Sequence, residues 1–303
     1  MADLSVSIAG VQFKNPVIAA SGCFGFGLDY EDLYPVSELG GVSLKGTTLD
    51  AKPGNIPPRI AETYGGMLNS VGLQNPGVDK LINVHLPALC GKDTVKIANI
   101  AGKDVDTYIR AVEKVSDSCA DMIELNISCP NVKEGGLAFG ASPDTAASLV
   151  REVRKVCKKP LMVKLSPNVT DIVSIARAVE AEGADALSLI NTLLGMRIDI
   201  RSRKPILHNN VGGMSGRAVF PVALRMVWQT AKAVSIPVVG MGGIATWEDA
   251  VEMLLAGASA LQVGAAIFTD PYAPVKIVSG LNKWLDDNNI KCVSDIVGQV
   301  ECY

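Results

Sequence analysis

Short, almost continuously apolar runs recur along this chain, separated by longer stretches in which apolar residues return every three or four positions. The runs at residues 16–20, 41–44, 95–100, 122–127, 160–165, 186–190, 237–240 and 260–263 read as strands buried on both faces. Between them, Ile172, Ile175, Ala176 and Val179 have helical spacing. Ser142-Pro143, Thr170-Asp171 and Thr246 offer helix starts, because a short oxygen-bearing side chain can accept from the first free backbone N–H groups. Residues 181–189 are echoed by residues 256–263 in their helix end, Gly-Ala turn and strand. Eight strand-then-helix units close most naturally into a (β/α)8 TIM barrel. A doubly wound open sheet ranks below it, since no Gly-x-Gly-x-x-Gly follows the first strand. Residues 4–13 alternate around Ala9-Gly10 and predict a hairpin that plugs one end of the barrel. No linker interrupts the pattern, so residues 1–303 are expected to form one domain.

The carboxyl ends of barrel strands hold the chemistry in this architecture. Read in turn, they carry Ser21-Gly22, Lys45-Gly46, Asn99, Asn126, Lys164, Asn191-Thr192, Gly242-Gly243 and Gly264-Ala265. Lysine is rarely buried without a partner, so Lys45 and Lys164, on one rim with several asparagines, point to a planar, polar, anionic ligand. Either lysine alone could instead be a snorkelled structural residue. The glycines after the last two strands stand where many barrels bind phosphate through backbone N–H groups. A phosphate grip with lysine and amides on the rim suits a flavin mononucleotide, FMN.

The fourth strand ends in Asn126-Ile127-Ser128-Cys129-Pro130-Asn131, where Pro130 forbids further ladder pairing. Cys129 thus sits in a polar loop rather than on an apolar face, a setting for a reactive thiol rather than a packed one. Gly135, Gly136 and Gly140 follow and give that loop freedom to act as a lid. Residues 64–77 are too rich in Gly and Asn for core and read as a loop crossing the catalytic end, suited to gripping a small substrate.

Composition narrows the function. A net charge of -3 without a Lys/Arg block argues against a nucleic-acid partner. The apolar stretch 254–268 is shorter than the ~20 residues a membrane span needs, and Gly257 and Gly264 interrupt it. No secretion signal stands at the start, and seven scattered cysteines fit a reducing cytoplasm. They show neither a Cys-x-x-Cys pair nor metal spacing with histidine, so no metal site is expected in this chain.

The motifs at residues 126–131, Asn69-Ser70-Val71-Gly72-Leu73, Val163-Lys164-Leu165-Ser166-Pro167-Asn168, Ile190-Asn191-Thr192 and Gly240-Met241-Gly242-Gly243-Ile244 together resemble the class 1 dihydroorotate dehydrogenases. The likeness spans essentially the entire chain and is strongest to the catalytic subunit of the NAD-linked class 1B enzymes. It implies an FMN-bearing barrel that oxidises dihydroorotate to orotate in pyrimidine synthesis. By position, Cys129 would take the proton from C5 while C6 gives its hydride to the flavin, and Lys45 would lie between flavin and substrate. Asn69, Ser70, Val71, Gly72, Leu73, Asn126, Asn131, Asn191 and Thr192 would hold the orotate ring and carboxylate. Ser21, Lys45, Gly46, Asn99, Asn126, Lys164, Ile190, Gly216, Gly242, Gly243, Gly264 and Ala265 would line the flavin site. A thiol with a reference pKa of ~8.5 needs only a modest depression to act as base near neutral pH.

The resemblance also implies a second polypeptide with FAD and an iron-sulfur cluster, in a heterotetramer of two catalytic and two electron-transfer subunits. This chain has no unit of its own for binding NAD or a cluster. Cys23, Phe24 and Phe26 are apolar enough to face such a partner or to be core beneath the flavin. The fumarate-linked class 1A enzyme is the alternative. A dihydrouridine synthase-like flavoenzyme would want a basic RNA-binding face. A Schiff-base aldolase using Lys164 and a ligand-binding barrel without catalysis stand further off.

Overall fold

In the computed structural model, which describes residues 2–128 and 139–303, eight parallel strands close into a barrel. In chain order they are Val17–Ala19, Gly41–Ser43, Val95–Ile100, Met122–Asn126, Leu161–Lys164, Ala186–Leu189, Val238–Met241 and Ala260–Val263. They coincide with the eight expected runs to within a residue or two at either end. Closure comes from the last strand pairing with the first, Leu261 beside Val17 and Val263 beside Ala19, which rules out an open sheet.

The helices outside the barrel start where their caps predict. Ser142 accepts from the Thr145 N–H at 3.3 Å, with Pro143 in the first turn of Pro143–Arg154. Asp171, rather than Thr170, caps Ile172–Ala181 by accepting from Val173 and Ser174. Thr246 and Asp249 form a reciprocal capping box at the start of Trp247–Leu255. Each helix lays one stripe on the barrel: in Pro143–Arg154 it is Ala146, Leu149, Val150 and Val153, all fully buried. At about 1.5–3 kcal/mol for each large apolar side chain removed from water, these stripes are what fasten the helices to the strands.

The expected hairpin is present as Val6–Ile8 and Val11–Phe13, turning at Ala9 and Gly10, whose φ angles are 51° and 81°. Phe13 is buried against Gly41, where a Cβ would lie 2.8 Å from its ring. Gly41 begins the second barrel strand, so the hairpin covers the amino end of the barrel and leaves the other end for the site.

At that other end the structure departs from the plain loop expected over residues 64–77. Gly66–Asn69 is a strand in a four-stranded antiparallel sheet, between Ile60–Thr63 and Gly212–Ser215, with Leu193–Gly195 on the far edge. This sheet joins the insertion after the second barrel strand to the one after the sixth. Its pairing partners are some 145 residues apart, as in Asn69 with Gly213, and local composition carries no trace of such contacts. The glycines serve backbone approach: Gly216 has φ 108°, and a Cβ there would stand 2.5 Å from the Cα of Gly66. Among the described residues no helix is long and apolar enough to cross a membrane.

Gly216→Ala should lower unfolding stability by more than about 1 kcal/mol, because both the positive φ and the close approach reject a Cβ. Urea denaturation checks this, and an unchanged midpoint would mean the two insertions are not held together at Gly216.

Candidate active site

A cavity of about 550 Å³ opens among the carboxyl ends of the strands, a size that accommodates a small-molecule cofactor. Ser21, Lys45 and Gly46 reach it from the first two strands, Asn126 and Ser128 from the fourth, and Lys164 from the fifth. Ile190, Asn191 and Thr192 come from the sixth, Gly242 and Gly243 from the seventh, Gly264 and Ala265 from the eighth. The inserted sheet and its following loop bring Asn69, Ser70, Val71, Gly72, Leu73 and Gly216. The residues singled out from the sequence are therefore neighbours in space. Asn99 differs, being wholly buried behind the wall rather than lining it. Cys129 and Asn131 lie outside the described residues.

Beneath the cavity sits Glu124, in the middle of the fourth strand and fully buried. Its carboxylate accepts from Ser43 Oγ at 2.6 Å, Asn99 Nδ2 at 2.5 Å, Ser188 Oγ at 2.7 Å and Gln262 Nε2 at 2.7 Å. Burial pushes its pKa up, but the nearby Lys164 ammonium and the bonds from Ser43, Ser188 and Asn99 outweigh it, so the group stays below the usual glutamate range. An unpaired charge here would be prohibitive, whereas four donors and a nearby cation make it tolerable. Lys164 is itself buried and makes no hydrogen bond to another described residue, leaving its ammonium to the cavity it lines.

The upper wall is an amide network. The Asn126 side-chain oxygen accepts from Ser128 Oγ at 2.7 Å, Ser128 Oγ accepts from Asn191, and Asn191 Oδ1 accepts from the Thr192 N–H at 2.8 Å. Asn168 extends the chain by donating to the Thr192 carbonyl and accepting from the Leu194 N–H. Tyr108 fixes the strand end from outside, its hydroxyl donating to the Asn126 carbonyl at 2.8 Å. The 69–73 segment is held by buried Asn75, which donates to the Leu73 carbonyl and to Thr48 and accepts from the N–H groups of Thr48 and Gly77. Such anchoring fixes a binding loop before any ligand arrives.

A second thiol, Cys23, also lines the cavity. Enclosure by protein pushes its pKa up to about 11, despite the opposing charges of Lys164 and Lys45, so it stays protonated at neutral pH. Phe24 is core: it is buried and stacks on Tyr30 at 4.7 Å, which removes it as a surface for a partner. Phe26, half-buried, stacks on His85.

Glu124 and Gln262 have no site role in the sequence reading, and Ser128 and Asn168 enter it only as members of the motifs at residues 126–131 and 163–168. The signal for the first two was present: a carboxylate and an amide in the middle of runs that otherwise read as doubly buried strands.

The donor set fits an FMN. Among the described residues the buried oxygens Asn99 Oδ1 and Gln262 Oε1 have no partner and Lys164 offers an unshared donor, while Gly46, Gly242 and Gly243 bring bare backbone to the cavity, packed so closely that a Cβ would strike Asn99, Ala223 and Phe220 behind it. A planar heterocycle with carbonyl and N–H groups satisfies all of these.

Fold and cavity together define an α/β barrel with a heterocycle site at the carboxyl ends of its strands. The family model described as dihydroorotate dehydrogenase matches residues 3–285, and the chain belongs to that family. Its relatives include the dihydroorotate dehydrogenase B (NAD(+)) catalytic subunits of Bacteroides thetaiotaomicron, 53% identical over 99% of this chain and 100% of that protein, and of Alkaliphilus oremlandii, 54% identical over 98% and 99%. The subunit of the same name from Shouchella clausii is 52% identical over 98% of both chains.

A glutamate with a lowered folded pKa stabilises the protein fully above its unfolded value, near 4.5, and that contribution is lost as pH falls through the folded value. Unfolding stability measured from about pH 6 to about pH 3 should therefore drop more steeply in wild type than in Glu124→Gln. Parallel acid limbs would show that Glu124 is not ionised in the folded barrel.

Proposed function

We propose that this chain is the catalytic subunit of an NAD-linked dihydroorotate dehydrogenase that oxidises (S)-dihydroorotate to orotate in pyrimidine synthesis in the cytoplasm. The observation that carries this reading is the layering of the cavity. A floor of Lys164 and Gln262, with Asn99 behind it, lies under a wall of asparagines, so one polar heterocycle can be stacked on another. Bound FMN supplies the hydride acceptor.

The chain's own residues do the rest. Asn69, Asn126, Asn131, Asn191 and Thr192, with the 70–73 backbone, hold the substrate ring and carboxylate; Lys45 stands between substrate and flavin. Ser21, Gly46, Asn99, Ile190, Gly216, Gly242, Gly243, Gly264 and Ala265 enclose the flavin, and Lys164 sets a buried positive charge beside the ring that gains electrons. Cys129, next in sequence to the cavity residue Ser128, takes the C5 proton as C6 loses its hydride, and the electron pair left at C5 closes the double bond of orotate. Cys23 is unsuited to that role, as a thiol with a pKa near 11 is almost never ionised at neutral pH.

Cys129→Ala is expected to slow turnover with an artificial electron-accepting dye by ~10²-fold or more, the usual cost of losing a general base. Cys23→Ala should leave the rate's pH dependence near neutrality unchanged. A wild-type rate in Cys129→Ala would refute the assignment.

The electrons leave through a partner subunit carrying FAD and an iron-sulfur cluster, in a heterotetramer of two catalytic and two electron-transfer subunits. The relatives' designation as NAD(+) catalytic subunits supports this, as does a chain without a dinucleotide-binding glycine motif. Assayed alone with dihydroorotate, the chain should reduce neither NAD nor fumarate rapidly, and NAD reduction should appear when an iron-sulfur flavoprotein subunit is added. Rapid fumarate reduction by the chain alone would point to the class 1A activity instead.

A further inference from the structure

Glu124 touches no part of the proposed chemistry, yet it decides which atoms the cavity floor presents. Asn99 and Gln262 each carry an amide that could turn either its NH2 or its carbonyl oxygen toward the site. An ionised carboxylate only accepts. Both amides therefore give their NH2 to Glu124, at 2.5 and 2.7 Å, and both carbonyl oxygens are left buried without a partner among the described residues. The serines on the same carboxylate, Ser43 and Ser188, complete its shell and leave it no lone pair for a competing donor from the site. Asn99 Oδ1 lies 2.9 Å from where a Cβ on the cavity residue Gly46 would stand, and Gln262 lines the cavity itself. Gln262 Oε1 thus belongs to a residue placed to meet a donor arriving in the cavity, and Asn99 Oδ1 stands just behind the Gly46 backbone.

We propose that Glu124 is a positioning residue: by holding the NH2 groups of Asn99 and Gln262, it leaves their oxygens as the acceptors on offer and makes the floor select a heterocycle presenting an imide N–H there. The inference rests on the FMN reading, whose pyrimidine ring carries one N–H between two carbonyls. Lys164, the charge that offsets Glu124, supplies a donor for a neighbouring carbonyl of such a ring. Charge balance, amide orientation and ligand pattern are thus one device. Loss of the negative charge should change which ligand is preferred, and not only how tightly it binds.

The test is flavin binding by the full chain after its cofactor is removed, comparing FMN with N3-methyl-FMN by quenching of flavin fluorescence. Wild type should bind the methylated flavin at least about tenfold more weakly, since a methyl group then faces buried acceptors. In Glu124→Gln the new amide can donate, one of the two neighbours turns round, and the preference for FMN should shrink at least threefold, roughly half a hydrogen bond's worth. Should that variant fail to fold, Gln262→Met, which removes one acceptor and keeps the carboxylate, should shrink the preference in the same direction. Equal weakening of both flavins in the variants, or a wild type that binds FMN without discriminating, would overturn the positioning role while leaving the FMN reading intact. A wild type that binds neither flavin would overturn both.

Discussion

Because a carboxylate inside a protein must be given every hydrogen bond that water would have supplied, Glu124 constrains the barrel around it. Its four donors come from the second, third, sixth and eighth strands, and its balancing charge from the fifth. These strands cannot slip in register without breaking a charged hydrogen bond, each worth roughly 1.5–3 kcal/mol. The same group that ties the barrel together sets the polarity of the floor above it. Structural and functional demands meet at one side chain, so a substitution there acts on both.

Above the floor the architecture separates rigidity from adaptability. The barrel side of the cavity is built from strand ends and from glycines that pack bare backbone against the residues behind them. The outer side is built from insertions, and these are stiffened by pairing with one another and by the bonds around Asn75 and Asn191. Loops secured in this way hold their amides in place before the substrate binds, which limits the ordering cost of recognition.

Much of this was legible in the sequence for a physical reason: doubly buried strands must be apolar throughout, so a polar residue at a strand's end stands out. That contrast revealed Lys45, Asn126, Lys164 and Asn191, all of which line the cavity. The same contrast existed in mid-strand at Glu124 and Gln262, but there it marks a network whose partners lie on other strands, up to 138 residues away. No local pattern indicates that such a residue is satisfied. The antiparallel sheet over the barrel mouth was hidden likewise, since glycine-rich segments such as residues 64–77 have weak strand propensity and pair only because a second insertion meets them. Cys23 shows a different limit. Its neighbours in sequence do not disclose that it is enclosed, and its raised pKa, which keeps it from acting as a base near neutral pH, emerges only once the fold is known.

In the proposed reaction the cavity holds a flavin which dihydroorotate reduces directly. Anaerobic mixing of the FMN-loaded chain with (S)-dihydroorotate, followed by visible absorbance in a stopped-flow instrument, tests it without any partner subunit. Rapid bleaching of the oxidised flavin band, with one orotate formed per flavin, is the expected result. A flavin band that persists in the presence of saturating dihydroorotate would contradict it.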